Sequence, residues 1–257
     1  MVALPAFDWA SRARAAGWHL LLSAAVAAAA ASLVFGLWFP PPYRQVSGGA
    51  DLFLLLVGVD VALGPLITFA VFDRRKPRAE LMRDLGVVAL LQLGALGYGL
   101  NAVALARPVV LAFEGERFRA VPAAAVVESE LPQAPPSLRR LSLAGPVIVS
   151  TRMPTDSDER FEATVMAMGG ADLGMRPRYW LPWDDEARRR ALAAAAPLGP
   201  LLRARPALAE VAAATGHQPA SLRHLPLLAR ADDWIVLLDA AEGHIVGFAP
   251  LGPEENK

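Results

Sequence analysis

Cysteine is absent from the 257 residues, so disulfides, thiol nucleophiles and cysteine-ligated metals are excluded. Histidine is scarce. His19, His217, His224 and His244 form no HExxH or comparable ligand spacing, and each reads as a structural or exposed residue, so no metal site is expected. GxSxG and P-loop patterns are missing too, and no nucleophile–base pair presents itself, so no catalytic residue and no enzyme activity is assigned. The glycines of "LGALGYGLN" lie inside an apolar run, where they let helices approach closely, so they are not read as a nucleotide fingerprint and no cofactor is expected. A basic surplus is lacking as well: residues 1–106 hold 8 Lys/Arg and 6 Asp/Glu, and residues 107–257 hold 17 and 19. Neither half is basic enough to suggest nucleic acid.

What the chain has instead is apolar length. With 54% hydrophobic and 19% charged residues it is too apolar for one average soluble domain, and the polarity is unevenly spread. Three runs, Trp18–Phe39, Ala50–Phe72 and Leu85–Ala106, can each cross a hydrocarbon core of about 30 Å, which takes roughly 20 helical residues. The first follows Arg12 and Arg14 and contains the small residues Ala24–Ala31, as a cleavable signal would. It continues through "SLVFGLWF", well beyond the roughly 7–15 apolar residues of a signal peptide, and is read as a retained anchor. Residues 1–106 are therefore expected to form a membrane domain of three transmembrane helices.

Flanking cations set the orientation. Arg74, Arg75, Lys76, Arg78 and Arg83 crowd the connection between the second and third spans, whereas Arg44 stands alone between the first and second. The positive-inside rule puts the N-terminus and the second connection in the cytoplasm, leaving "PPYRQVSGGAD" and everything after Arg107 on the far side. Trp18 at one end of the first span, and Trp38, Phe39 and Tyr43 at the other, read as interfacial anchors.

From Arg107 onward the pattern is that of a water-soluble α+β domain with an antiparallel sheet, residues 107–257, long enough for its own core. "RPVVLAFEGERFRAV" predicts two strands joined at Glu114-Gly115-Glu116, and "PVIVSTRMP" a third. "TDSDERFEATVMAMGG" predicts a helix capped by Thr155 or Ser157 and stopped at Gly169-Gly170. In "DDEARRRALAAAAPLG" the pairs Asp184–Arg188, Asp185–Arg189 and Glu186–Arg190 are spaced i,i+4, so the arginine triplet reads as a solvated helix face. "PALAEVAAATG" predicts another helix, opening at Pro206 and closing at Gly216. "DDWIVLLDAAEGHIVGFAPL" predicts a terminal hairpin of strands 234–238 and 245–248, buried on both faces.

One polar residue stands out inside the spans. Asp60, in "GVDVALGPLITFAVFDRRKP" (residues 58–77), is an acid at bilayer depth, which costs about 2.5–3.5 kcal/mol on insertion scales unless it faces the bundle interior and a partner. Gln92 and Asn101 in the third span are the polar side chains at comparable depth, and Gly64-Pro65 can free backbone groups that need partners. Two readings stay open: Asp60 is a bond within the bundle, or it is a docking point for another protein's transmembrane helix.

The stretch just quoted, together with "DLGVVALLQLGALGYGL", "ALARPV", "ERF" and the distal "DWIVLLDAAEGHIVGF", resembles the TfpX/TfpZ type IV pilin accessory proteins. The likeness is most specific over residues 52–121 and returns in the terminal hairpin, while residues 122–230 contribute little. It implies a bacterial inner-membrane protein, N-terminus cytoplasmic and C-terminal domain periplasmic. Such a protein helps a cognate major pilin become surface pili as a chaperone or assembly modulator. Its partners would be the lipid bilayer and the pilin, whose transmembrane helix and periplasmic head would each find a surface. A membrane-anchored periplasmic sensor or scaffold module would show the same hydropathy, and an enzyme is a weaker rival.

Overall fold

The computed structural model describes residues 8–231 and 233–252, with the side chains of Leu52, Leu55 and Val59 left out; the outer ends of both predicted domains, 1–7 and 253–257, lie outside the described residues. The chain forms two units: residues 1–36 with 49–104, and residues 37–48 with 105–257.

The first unit is helical. α1 (Trp9–Leu33) opens at Asp8, whose carboxylate accepts from the Ser11 amide at 3.2 Å, and runs on into a π turn, Val34–Trp38. In the second unit the short α2 (Tyr43–Val46) follows; the chain then returns through α3 (Gly49–Val71) and α4 (Arg78–Ala106). α1 and α3 are the closely packed pair. Ring contacts hold both ends of it: Trp9 against Phe69 at 5.7 Å and Phe35 against Phe53 at 5.0 Å. Arg12 closes the C-terminal end of α3, donating to the carbonyls of Phe69 (3.2 Å) and Ala70 (2.6 Å) and pairing with Asp73 (3.2 Å). There a cation meets the negative end of the helix dipole.

Pieces 9–38, 49–71 and 78–106 are each long and apolar enough to cross a membrane, and each contains or nearly matches one of the apolar runs. Leu21, Leu22, Leu63, Leu66, Leu90, Leu91, Leu93 and Tyr98 are all exposed on this unit. Water would penalise so broad an apolar surface, whereas lipid would not.

The second unit is built on one sheet. β1 (Pro108–Phe113) and β2 (Phe118–Pro122) form the predicted hairpin, turning at Gly115 with φ of +89°. Then come β3 (Val147–Thr151), β4 (Trp180–Pro182), β5 (Ala196–Pro197) and β6 (Leu222–Leu228), followed by the terminal hairpin β7 (Trp234–Asp239) and β8 (Ile245–Pro250). The strand order is β4-β3-β1-β2-β6-β7-β8, with β5 alongside β6. The sheet is mixed, which corrects the expected antiparallel one: β1 pairs with β3 and β2 with β6 in parallel. Both links span connections longer than the dozen or so residues that a parallel crossover needs.

β6 escapes the sequence pattern because Pro226 interrupts it. Proline cannot donate to a ladder, and here it falls between Arg223 and His224, which pair with β5, and Leu227 and Leu228, which pair with β2.

Helices cover the sheet. α5 (Ser157–Met168) is capped by Asp156 rather than by Thr155 or Ser157: its carboxylate accepts from the Glu159 amide at 2.8 Å, while Glu159 accepts from the Thr155 amide at 2.7 Å. The arrangement is a variant of the capping box, in which Glu159 reaches the amide of the residue before the cap instead of the cap's own. α6 (Asp185–Ala194) is capped by Asp184, and its ion pairs run i,i+3, Asp185–Arg188 and Glu186–Arg189, instead of the predicted i,i+4. Arg190 leaves the solvated face and donates to Ser150 Oγ at 3.1 Å. α7 (Leu198–Ala204) has no counterpart in the sequence pattern, and α8 (Leu208–Ala214) lies within the predicted helix.

Residues 37–48, between the first two long helices, belong to this unit's core. Tyr43 and Val46 are buried in one cluster with Phe113, Phe118, Trp234 and Val236. The Tyr43 ring meets Phe248 at 5.7 Å, and burial pushes its phenol above the usual range.

Candidate functional site

Three helices of the first unit enclose a groove of about 170 Å³. α1 contributes His19, Ser23 and Val26, α3 contributes Asp60 and Val61, and α4 contributes Gln92 among others. The walls are otherwise aliphatic.

Gly64 sets how near α4 comes. A Cβ at this position would collide with the Gln92 amide, so the bare backbone is what admits that side chain. Gln92 Nε2 then donates to the main-chain oxygen of Asp60 at 3.2 Å. One residue beyond Gly64, Pro65 has no amide to close the helical bond onto Val61, so this stretch of α3 is where the backbone ladder is weakest. Asp60, Gly64, Pro65 and Gln92 thus share one locality, as the sequence suggested. Asn101 does not join them: it is exposed, about 13 Å further along α4 at 1.5 Å per residue, and its side chain makes no hydrogen bond among the described residues.

The bond from Gln92 goes to the Asp60 backbone and leaves the carboxylate out of it. Asp60 lines the groove, and its side chain makes no hydrogen bond or ion pair among the described residues.

Sequence reasoning passed over His19 and Thr68. His19 Nδ1 bonds Thr68 Oγ1, and Thr68 is buried, so a second polar link ties α1 to α3 beside the groove. The signal was available, since His19 is an ionisable residue inside a predicted span and the argument applied to Asp60 applies to it equally.

The cations that set the predicted orientation gather at one end. Arg74, Arg75 and Lys76 lie in the turn after α3, and Arg78 and Arg83 begin α4. Lys76 donates to Asp84 at 2.6 Å, with Glu80 at 3.8 Å, and its pKa is raised chiefly by that hydrogen bond to Asp84.

The second unit holds a polar cluster without a groove of comparable apolar lining. Arg176, 1% exposed, donates to Glu130 at 2.7 Å and to Glu162 at 2.5 Å. The guanidiniums of Arg152, Arg176 and Arg178 lie 4.8, 5.0 and 5.8 Å from the Tyr179 ring centroid. Burial raises the Tyr179 phenol, while hydrogen bonds from Arg152 (3.0 and 2.7 Å) hold the Glu159 carboxyl down at about 2. Every cation here is matched by a carboxylate, so the cluster is a brace between α5 and the segment leading into β4. Among the described residues, no three His, Asp or Glu gather as metal ligands.

Comparison with known proteins agrees with a role tied to fimbriae. Residues 7–48 match the family described as Fimbrial assembly protein FimB. The chain is 34% identical over 233 residues to the "Fimbrial assembly protein, serogroup I" of Dichelobacter nodosus, covering 88% of this chain and 90% of that protein. It is similarly 34% identical, with the same coverage, to the serogroup E1 protein of that organism. A shorter relative, the protein of serogroups C1 and C2, is 40% identical over 122 residues, 48% of this chain and 93% of its own. No solved structure matches. Similarity along nearly the whole length of both the serogroup I and serogroup E1 proteins means that this chain belongs to the family of these fimbrial assembly proteins.

Proposed function

We propose that the chain is an inner-membrane accessory protein of type IV pilus biogenesis, of the TfpX/TfpZ kind, and that it engages the major pilin while that pilin is stored in the membrane. The near full-length similarity to proteins named for fimbrial assembly supports the pilus role. In this reading the three long helices span the bilayer with the basic end in the cytoplasm, and the sheet unit stands in the periplasm. The protein acts by binding and not by catalysis, as a chaperone or assembly modulator.

The groove supports the mode of engagement. A carboxylate in a largely aliphatic cleft, its side chain unbonded among the described residues, is costly in lipid until a partner supplies a donor. A pilin's apolar transmembrane helix would fill the cleft and bring that donor to Asp60, while the sheet unit offers the pilin head a second surface. The other reading, Asp60 as a bond within the bundle, is weakened because the hydrogen bond from Gln92 is made to the main chain and survives loss of the side chain.

Asp60→Leu tests this directly, with chain abundance and pilin copurification in mild detergent measured in the same strains. The expected result is near wild-type abundance with reduced pilin capture and fewer surface pili. A fall in abundance would return Asp60 to a structural role, and unchanged capture would sink the docking role.

A further inference from the structure

A second groove, of about 220 Å³, opens at the basic end of the helical unit, lined by Ser11, Arg14, Ala15, Trp18, Phe72 and Arg74. On α1 these residues are spaced i, i+3, i+4 and i+7, so they share one helix face.

Charge is unevenly committed around it. Arg12 is occupied by Asp73 and the end of α3, and Lys76 by Asp84. Of the nearby acids, Asp73 is bonded to Arg12, and Asp8 to Ser11, whose hydrogen bonds hold the Asp8 pKa down with smaller help from the charges of Arg74 and Arg75. Arg14 and Arg74 are exposed, and their side chains make no hydrogen bond or ion pair among the described residues. Two guanidiniums therefore flank the cleft, and no carboxylate is hydrogen-bonded to either among the described residues, although the Asp8 charge acts on Arg74.

The rest of the cleft is apolar. Phe72 lines it, and Trp18, 69% exposed, forms its wall. One turn further along the same side of α1, Leu21 and Leu22 are exposed at 62% and 65%. An anion held by the two arginines would sit at the mouth of a continuous apolar track.

We propose that this groove binds the headgroup phosphate of an anionic phospholipid, with Arg14 and Arg74 donating to the phosphate oxygens and the acyl chains descending past Trp18, Leu21 and Leu22. Guanidinium suits phosphate because its planar fork can donate two parallel hydrogen bonds. An indole beside two cations at the end of a membrane-length helix is where headgroup and hydrocarbon meet. The apolar track is what favours a lipid over a free phosphate ester, which would leave it uncovered. The site is independent of the pilin reading.

The test uses the full-length chain in phosphatidylcholine nanodiscs doped with phosphatidylglycerol, and native mass spectrometry counts the lipid that the protein retains on release. Wild type should retain phosphatidylglycerol in preference to phosphatidylcholine. Arg14→Gln with Arg74→Gln should lower that preference by about tenfold or more, from the loss of charge-assisted hydrogen bonds, whereas Arg78→Gln, outside the groove, should not. If the double variant fails to fold, Arg74→Gln alone carries the test, since Arg74 lies in an exposed turn. An unchanged preference overturns the proposal. So does loss of bound phosphatidylglycerol to excess glycerol 3-phosphate, which would identify the ligand as a soluble phosphate ester.

Discussion

The amide of Ala231 donates to the carbonyl of Val46 across 3.0 Å, joining the connection between the first two long helices to the approach to β7. Tyr43, three residues before Val46, packs edge-on against Phe248 of β8. The sheet unit is thus discontinuous in sequence, and its core draws on residues that precede two of the membrane-length helices. Tyr43→Ala in the full chain should lower stability by about 3 kcal/mol, the usual cost of truncating a buried aromatic. Tyr43→Phe keeps the ring and should stay near wild type. Denaturant unfolding of the detergent-solubilised protein reads both. By the same logic, a fragment beginning at residue 105 should unfold without cooperativity even though it contains β1 to β8. A Tyr43→Ala variant as stable as wild type would show that the connection merely rests on the domain.

That discontinuity marks the limit of what the sequence could disclose. The three long apolar helices, the hairpins and the Gly169-Gly170 stop were legible because each is written in adjacent residues: apolar length, a turn glycine, a change of period. The parallel links were not, because pairing of Val110 with Val147 or of Phe118 with Leu227 depends on what the intervening chain does. β6 was hidden by Pro226, and the cap of α5 was misread by one residue because Thr155, Asp156 and Ser157 are all competent caps. In the groove, the sequence singled out Asp60 and Gln92 as polar residues at depth. It could not show that Gln92 chooses the backbone oxygen, since that follows from how closely Gly64 lets α4 approach.

Orientation rests on the cation asymmetry, and one fusion tests it. With Arg74, Arg75, Lys76, Arg78 and Arg83 at one end of the bundle, that end should stay in the cytoplasm. Alkaline phosphatase fused after Lys257 should then be active, because it matures only outside the cytoplasm, whereas a fusion in the turn at residues 74–77 should be inactive. The reverse pattern would refute the three-span arrangement.

Acid should expose the Arg152–Glu159 pair. Hydrogen bonds from Arg152 hold the folded-state pKa of Glu159 at about 2, below its ordinary 4.5. A depressed carboxyl pKa contributes stability above the unfolded-state value and loses it as pH falls through the folded-state value. The contribution is therefore complete above about pH 4.5 and drains away towards pH 2. Arg152→Met should be less stable than wild type at neutral pH, and the two should converge across that window. Since the pair is near the surface, added salt should narrow the neutral-pH gap as well. Urea midpoints measured from neutral pH down through that window provide the check, and parallel curves would dissociate the pair from the acid response.

The contact between Gly64 and Gln92 can be isolated in a double-mutant cycle. Gly64→Ala places a Cβ where the Gln92 amide now lies, so that flexible side chain must swing away and give up its bond to the Asp60 carbonyl. The cost should be about 0.5–1.5 kcal/mol, the net contribution of one hydrogen bond between partly buried groups. Gln92→Ala removes the same bond by a different route and vacates the volume that the new methyl needs. The two changes together should therefore cost less than the sum of the singles, with a coupling of about 0.5–3 kcal/mol, the range for residues in contact. Thermal inactivation in one detergent, followed by size-exclusion recovery, ranks the four proteins. Strict additivity would mean that α4 does not approach α3 at Gly64, and the groove that depends on that approach would have to be redrawn.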